Sequence, residues 1–187
     1  MGGTNISTTA LEALQSGLRG KTIRPGDSAY DAARRVYNGM IDRRPALVVR
    51  PAGVADVILT VNFARQAQRD IAVRGGGHNV AGFGTCDSGV VIDLSRMKSV
   101  RVDPGRRTVR AEAGCTWGDL DHATHAFGMA TPGGVISTTG ISGLTLGGGF
   151  GYLSRKYGLV CDNLLSADVV TADGRFLTAS ATENADL

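Results

Sequence analysis

The chain has 187 residues, 42% of them hydrophobic and 20% charged, and its 20 basic and 17 acidic side chains leave a net charge of +3. That length suits one large domain or two small lobes with a sizeable core. So mild a charge, with only 5% aromatic residues and no basic stripe, argues against a nucleic-acid partner that works through phosphate contacts and base stacking.

Residues 1–20 contain no long apolar run, so neither a secretory signal nor a membrane span is expected there. Scattered leucines over residues 5–20 predict a short helix. Asp27-Ser28 reads as a cap before a helix over 29–37. Ala-Leu-Val-Val within Pro45–Arg50 predicts a strand closed by Pro51. Val54, Val57, Ile58, Val61 and Ala64 give helical spacing over 54–68. Strands follow at 71–73 and 90–94. Val100–Val102 and Thr108–Ala111 flank Asp103-Pro104-Gly105-Arg106, a hairpin signal. Trp117 to Phe127 reads as a helix that Gly128 ends. A glycine-rich segment then runs from Thr131 to Gly151. Segments 165–171 and 175–178 flank Ala172-Asp173-Gly174, a second hairpin with a favoured Asp-Gly turn. Ser180–Leu187 reads as the start of a helix capped by Thr182, and the chain is expected to be the N-terminal part of a longer protein. The pattern predicts an α+β or mixed α/β fold.

The sequence concentrates its chemistry in its glycines. There are 27 in 187 residues, about twice the ordinary share. Arg74-Gly75-Gly76-Gly77-His78 follows directly on the strand at 71–73. Glycine takes positive φ and presents bare N–H groups, and successive N–H groups form a concavity suited to a phosphate. Arg74 adds positive charge, and His78 puts a nucleophilic imidazole at the loop's edge. The arrangement suits a phosphate-bearing cofactor held covalently, but taken alone it also fits a tight turn with a solvated histidine. The second cluster holds Gly133, Gly134, Gly140, Gly143, Gly147, Gly148, Gly149 and Gly151. Interleaved apolar residues (Val135, Ile136, Ile141, Leu144, Leu146, Phe150 and Leu153) count against a flexible loop. Two such loops suggest a long ligand lying across the backbone.

Two common nucleotide fingerprints fail. Gly-x-Gly-x-x-Gly from Gly75 would need glycine where Val80 stands, and a P-loop ending at Gly20-Lys21-Thr22 would need glycine at Gln15. His122 and His125, near Asp119 and Asp121, share one helix face. They read better as solvated surface than as a metal pair, and no third ligand cluster supports zinc. No metal is expected. The three cysteines, Cys86, Cys115 and Cys161, are odd in number and lack metal-type spacing. Each is expected to be a small buried hydrophobe with a reduced thiol, in a cytoplasmic protein.

Taken in order, several segments resemble a known family. They are Val-Arg-Gly-Gly-Gly-His-Asn (73–79), Val-Val-Ile-Asp-Leu-Ser-Arg-Met (90–97), Ala-Gly-Cys-Thr-Trp-Gly-Asp-Leu (113–120), the run Gly143 to Leu159, and the run Asp162 to Gly174. The resemblance is to the PCMH-type FAD-binding domain of the vanillyl-alcohol-oxidase superfamily, closest to the berberine-bridge-enzyme-like flavin oxidases. It implies an α+β unit of two α/β lobes with FAD between them, over residues 45–187 and incomplete at its C-terminus, preceded by a helical extension at 1–44. A separate substrate domain would carry the catalytic base, so no catalytic residue can be named in this chain.

The resemblance also implies a cofactor site. Arg74, Gly75, Gly76, Gly77, His78 and Asn79 would hold the pyrophosphate, and His78 would carry the flavin through its 8α-methyl group. Gly133, Gly134, Val135, Thr138, Thr139, Gly140, Gly143, Gly147, Gly148 and Gly149 would line the isoalloxazine and ribityl chain. Val170, with Val169, would approach the adenosine. Many members attach flavin a second time through a cysteine, and that position is Ile136 here. A single covalent bond and a less oxidising flavin are therefore expected. The implied activity is hydride transfer from a small organic substrate to FAD, with dioxygen as acceptor, no nucleic-acid or membrane partner, and no reading of oligomeric state. A different class of reading is a flavin-binding module without turnover, acting as a binding or interaction unit.

Overall fold

The computed structural model describes residues 6–187. The first five residues, which the helical extension and the helix predicted from residue 5 include, lie outside the described residues. In chain order the elements are α1 (Thr8–Gly17), β1 (Lys21–Ile23), α2 (Tyr30–Arg34), β2 (Leu47–Arg50), α3 (Val54–Gln66), β3 (Ile71–Arg74), β4 (Val90–Asp93), β5 (Val100–Asp103), β6 (Thr108–Ala111), α4 (Trp117–His125), α5 (Ile141–Leu146), α6 (Ser154–Tyr157), β7 (Ser166–Val170) and β8 (Phe176–Ser180). They form two compact units. The first takes the chain up to Arg74, with Asn79–Asp93 and Leu165–Leu187; the second takes Gly75–His78 and Leu94–Leu164.

The first unit is built on a four-stranded sheet in the order β1-β2-β4-β3. β2, β4 and β3 run parallel, and β1 joins antiparallel at the edge. Central parallel strands are covered on both faces, which is why they read as unbroken apolar runs. Leu47, Val49 and Val90 pack with Leu11, Leu14, Phe63 and Ala64 from α1 and α3. Val48, Val91 and Ala72 pack with Ile23, Tyr30 and Ala33. Each such Leu or Val contributes roughly 1.5–3 kcal/mol on burial. Asp56, in the first turn of α3, accepts the backbone N–H groups of Arg19, Gly20 and Ala52 at 3.1, 2.8 and 2.8 Å. That carboxylate ties the segment before β1 to α3.

Two predicted helices are cut short or missing. The helix expected over 29–37 spans only Tyr30–Arg34, because Arg35 turns extended at ψ 146°. The helix expected from Ser180 is instead a turn. The Ser180 hydroxyl accepts the N–H groups of Thr182 and Glu183, local bonding that competes with helix formation. The C-terminal hairpin pairs Ser166 with Ser180 through Val170 with Phe176. Its loop covers residues 171–175 rather than a two-residue Asp-Gly turn, and is closed by Gly174 N–H to the Thr171 carbonyl at 2.9 Å. Arg65 of α3 donates to the Asp173 carbonyl at 3.1 Å, holding this loop.

In the second unit β5 and β6 form the predicted hairpin, with Arg101 opposite Arg110 and Val102 opposite Val109. Trp117, Leu120 and Val160 form its core, with Val100, Val109, Ala111, Ile141 and Leu144 against them. Asp119 accepts from the Thr116 N–H and hydroxyl, each at 2.8 Å, and from Lys98 at 2.9 Å. Cys115 is buried and Cys86 partly so, but Cys161 is exposed on a 3-10 turn, contrary to its expected burial. Burial pushes the Cys86 and Cys115 thiols above their ordinary range, with Asp119 adding to the effect at Cys115. Both therefore stay protonated and unreactive near neutral pH.

Candidate functional site

The loop that follows β3 meets the glycine-rich segment inside the second unit. A Cβ on Gly76 would lie 2.2 Å from the Gly140 nitrogen, and a Cβ on Gly140 would lie 2.2 Å from the Gly76 nitrogen. Backbone therefore touches backbone, and neither position admits a side chain. Gly75 is backed by the Ser142 hydroxyl and the Ala113 carbonyl, and that hydroxyl donates to that carbonyl at 2.9 Å. Gly77 has φ +71°, the left-handed region that glycine enters without strain. Among the described residues, neither Gly76 nor Gly77 donates its backbone N–H to another backbone carbonyl.

His78 is half-buried and lies between two hydroxyls. Thr138 Oγ1 is 3.2 Å from Nε2, and Thr139 Oγ1 is 3.4 Å from Nδ1. The threonines are firmly placed. Thr139 N–H donates to the Ile136 carbonyl at 3.1 Å. The Ser137 and Thr139 carbonyls accept the Gly118 and Trp117 N–H groups at 2.9 and 3.0 Å, at the start of α4.

The structure gives several glycines a reason within the protein itself. The Trp117 indole covers Gly133 and Gly134, where an added Cβ would come within 2.5 and 3.0 Å of the ring. Its buried Nε1 has no hydrogen-bond partner among the described residues. Gly148 and Gly149 follow α5 at φ +95° and +78°, and Gly149 abuts Val160. Gly147 closes α5, its N–H donating back to the Gly143 and Leu144 carbonyls. Gly143, within α5, faces open space, and Val135 is exposed.

Gly75, Gly76, His78, Thr138, Thr139 and Gly140 thus come together in the second unit. Arg74, Asn79 and Val170 belong to the first. Asn79 uses its side-chain oxygen to accept the Phe83 N–H at 3.0 Å, and Val170 ends β7. Arg74 differs most from expectation. Its side chain is 7% exposed and pairs at 3.0 Å with Asp93, itself 3% exposed and also bound by Arg50 at 2.8 Å. It further donates to the carbonyls of Ala33 and Arg35 at 2.5 and 3.1 Å, capping the end of α2. The guanidinium is therefore committed to the sheet and α2. Any anion at the loop would meet N–H groups rather than this charge.

Residues 45–180 match the FAD binding domain family. The chain belongs to that family. An FAD-linked oxidoreductase of Dictyostelium discoideum is 39% identical over 188 residues, covering 100% of this chain and 40% of its own length. The crystal structure of 6-hydroxy-D-nicotine oxidase from Arthrobacter nicotinovorans superposes with a TM-score of 0.90 at 36% identity, over 96% of this chain and 38% of that one. A BBE-like protein of Physcomitrella patens superposes at 0.89 with 37% identity, over 96% and 39% of the two chains. The FAD-binding domain described here is thus of the PCMH type and berberine-bridge-enzyme-like, as its motifs indicated. It spans about 40% of the length of the curated relatives it matches.

Sequence reasoning missed Ser142, Trp117 and the joint contact of Thr138 and Thr139 with His78. Ser137-Thr138-Thr139 next to glycines was the available signal. Hydroxyls beside a glycine turn are common, however, and pairing them with a residue 60 positions away requires the fold.

Proposed function

We propose that this FAD-binding domain serves an FAD-dependent oxidase of small organic molecules, with the flavin joined to His78 by a single covalent bond. The observation that carries the reading is the family match over residues 45–180, supported by relatives named oxidases. The residues present fit the cofactor. Gly76 and Gly77 offer backbone N–H groups to phosphate oxygens, Gly143 leaves room beyond its Cα, and His78 holds a nucleophilic nitrogen on a fixed support.

Bound FAD would supply the redox chemistry, taking a hydride from a substrate C–H and passing electrons to dioxygen. The chain's own residues would bind and orient it. Gly75–Gly77 would hold the pyrophosphate, His78 would tether the ring, and the segment 133–149 would lie along the isoalloxazine and ribityl chain. By the motif resemblance, Ile136 takes the position of a second, cysteinyl attachment, so one adduct is expected.

The test is intact mass and in-gel flavin fluorescence on the purified chain. One covalent FAD, lost in His78→Ala, supports the tether. Flavin that is bound but released on denaturation removes the covalent part, and no flavin at all removes the binding assignment.

A further inference from the structure

We propose that Thr138 is a positioning residue for flavin attachment: its hydroxyl accepts a hydrogen bond from Nε2–H of His78 and so leaves the lone pair on Nδ1. This rests on the proposed His78 tether. A neutral imidazole has one N–H donor and one lone pair, each directed in the ring plane. Here both in-plane directions meet threonine hydroxyls, so forming a covalent bond at either nitrogen means giving up one contact. The contact at Nδ1, 3.4 Å from Thr139, is longer than the usual range, whereas that at Nε2, 3.2 Å from Thr138, falls within it. The longer contact is the one released. The shorter one persists and fixes both the tautomer and the ring plane. The support is stiff, because segment 136–139 is hydrogen-bonded to the start of α4 and Gly76 abuts Gly140.

Nδ1 bonds to the 8α carbon as one methyl C–H bond breaks. The methyl proton goes to solvent, and the electron pair is left on the flavin ring. Dioxygen then removes these two electrons as hydrogen peroxide. The Nε2 proton stays directed at Thr138 until the alkylated ring releases it.

Two readouts test this on the full chain. The first is 15N NMR of histidine-labelled, flavin-free protein above pH 8, with His78 assigned through His78→Ala. The wild type should show the Nε2–H tautomer, Thr138→Val should shift the population toward Nδ1–H, and Thr138→Ser should restore it. The second is the rate of adduct formation per bound FAD. It should fall at least about tenfold in Thr138→Val and recover in Thr138→Ser. An unchanged tautomer in Thr138→Val, or a larger tautomer shift in Thr139→Val, overturns the proposal. A wild type that binds FAD but forms no adduct overturns the tether, and the attachment role of Thr138 falls with it; the tautomer measurement distinguishes that failure from a failure of the Thr138 contact itself.

Discussion

Asp56 and Gly143 illustrate two opposite kinds of residue. Asp56 is buried with three backbone donors on its carboxylate, and hydrogen bonds to a charged group are worth about 1.5–3 kcal/mol. Asp56→Ala should therefore lower unfolding free energy in urea by about 3 kcal/mol or more, since three N–H groups lose their acceptor together. Gly143 is a helical glycine whose Cα faces open space, with room for a methyl group. Gly143→Ala should stabilise the flavin-free chain by roughly 0.5–1 kcal/mol. If the side facing it receives the cofactor, the same variant should bind less FAD, measured by absorbance after desalting. Stability and binding would then move in opposite directions at one position. Arg74 is a third case. Arg74→Met strips a partner from buried Asp93 and uncaps α2, and it should cost about 3–5 kcal/mol, whether or not flavin is present.

At the level of elements, the start of α4 has a pH signature. Burial acts to raise the Asp119 pKa, but the Thr116 N–H, Lys98 and the Thr116 hydroxyl outweigh it and hold the carboxyl below its ordinary value. A group depressed in the folded state contributes stability above its unfolded pKa and loses it as pH falls through the folded one. The melting-temperature gap between wild type and Asp119→Asn should be full at pH 6 and close as pH drops below about 4. The elements also differ in how readable they were. β2, β4 and α3 were visible because burial on both faces leaves an unbroken apolar run, and α3 a 3.6-residue period. The β5–β6 hairpin was marked by Pro-Gly chemistry at its turn. α5 and α6 were not visible. Ile-Ser-Gly-Leu-Thr-Leu is too short for periodicity, and its glycine lowers helical propensity. The helix expected at Ser180 failed because a serine that can cap a helix can equally close a turn.

Across the whole molecule, family and fold were legible because the motifs occur in a fixed order over most of the chain. The fold brings the loop at 75–78 against residues 138–140, a contact between two separately read glycine segments. The sequence grouped Arg74 with the glycines by adjacency, and the fold assigns its side chain to the sheet. It also grouped the glycines of 133–149 as one cradle, and the fold adds a reason within the protein itself for Gly133 and Gly134, which pack against the Trp117 indole. The second unit exposes Leu146, Phe150 and Tyr152 at 87, 73 and 86%. Leu146→Lys with Tyr152→Lys should raise solubility while changing stability by no more than about 0.5 kcal/mol, as read by light scattering alongside thermal melting.

The mutual contact of Gly76 and Gly140 also bears on how such chains are recognised. Each excludes a side chain on the other's account, with no ligand involved. A descendant that had abandoned flavin would still have to keep both in order to fold. Glycines at these two places are thus a signature of architecture rather than of a bound cofactor.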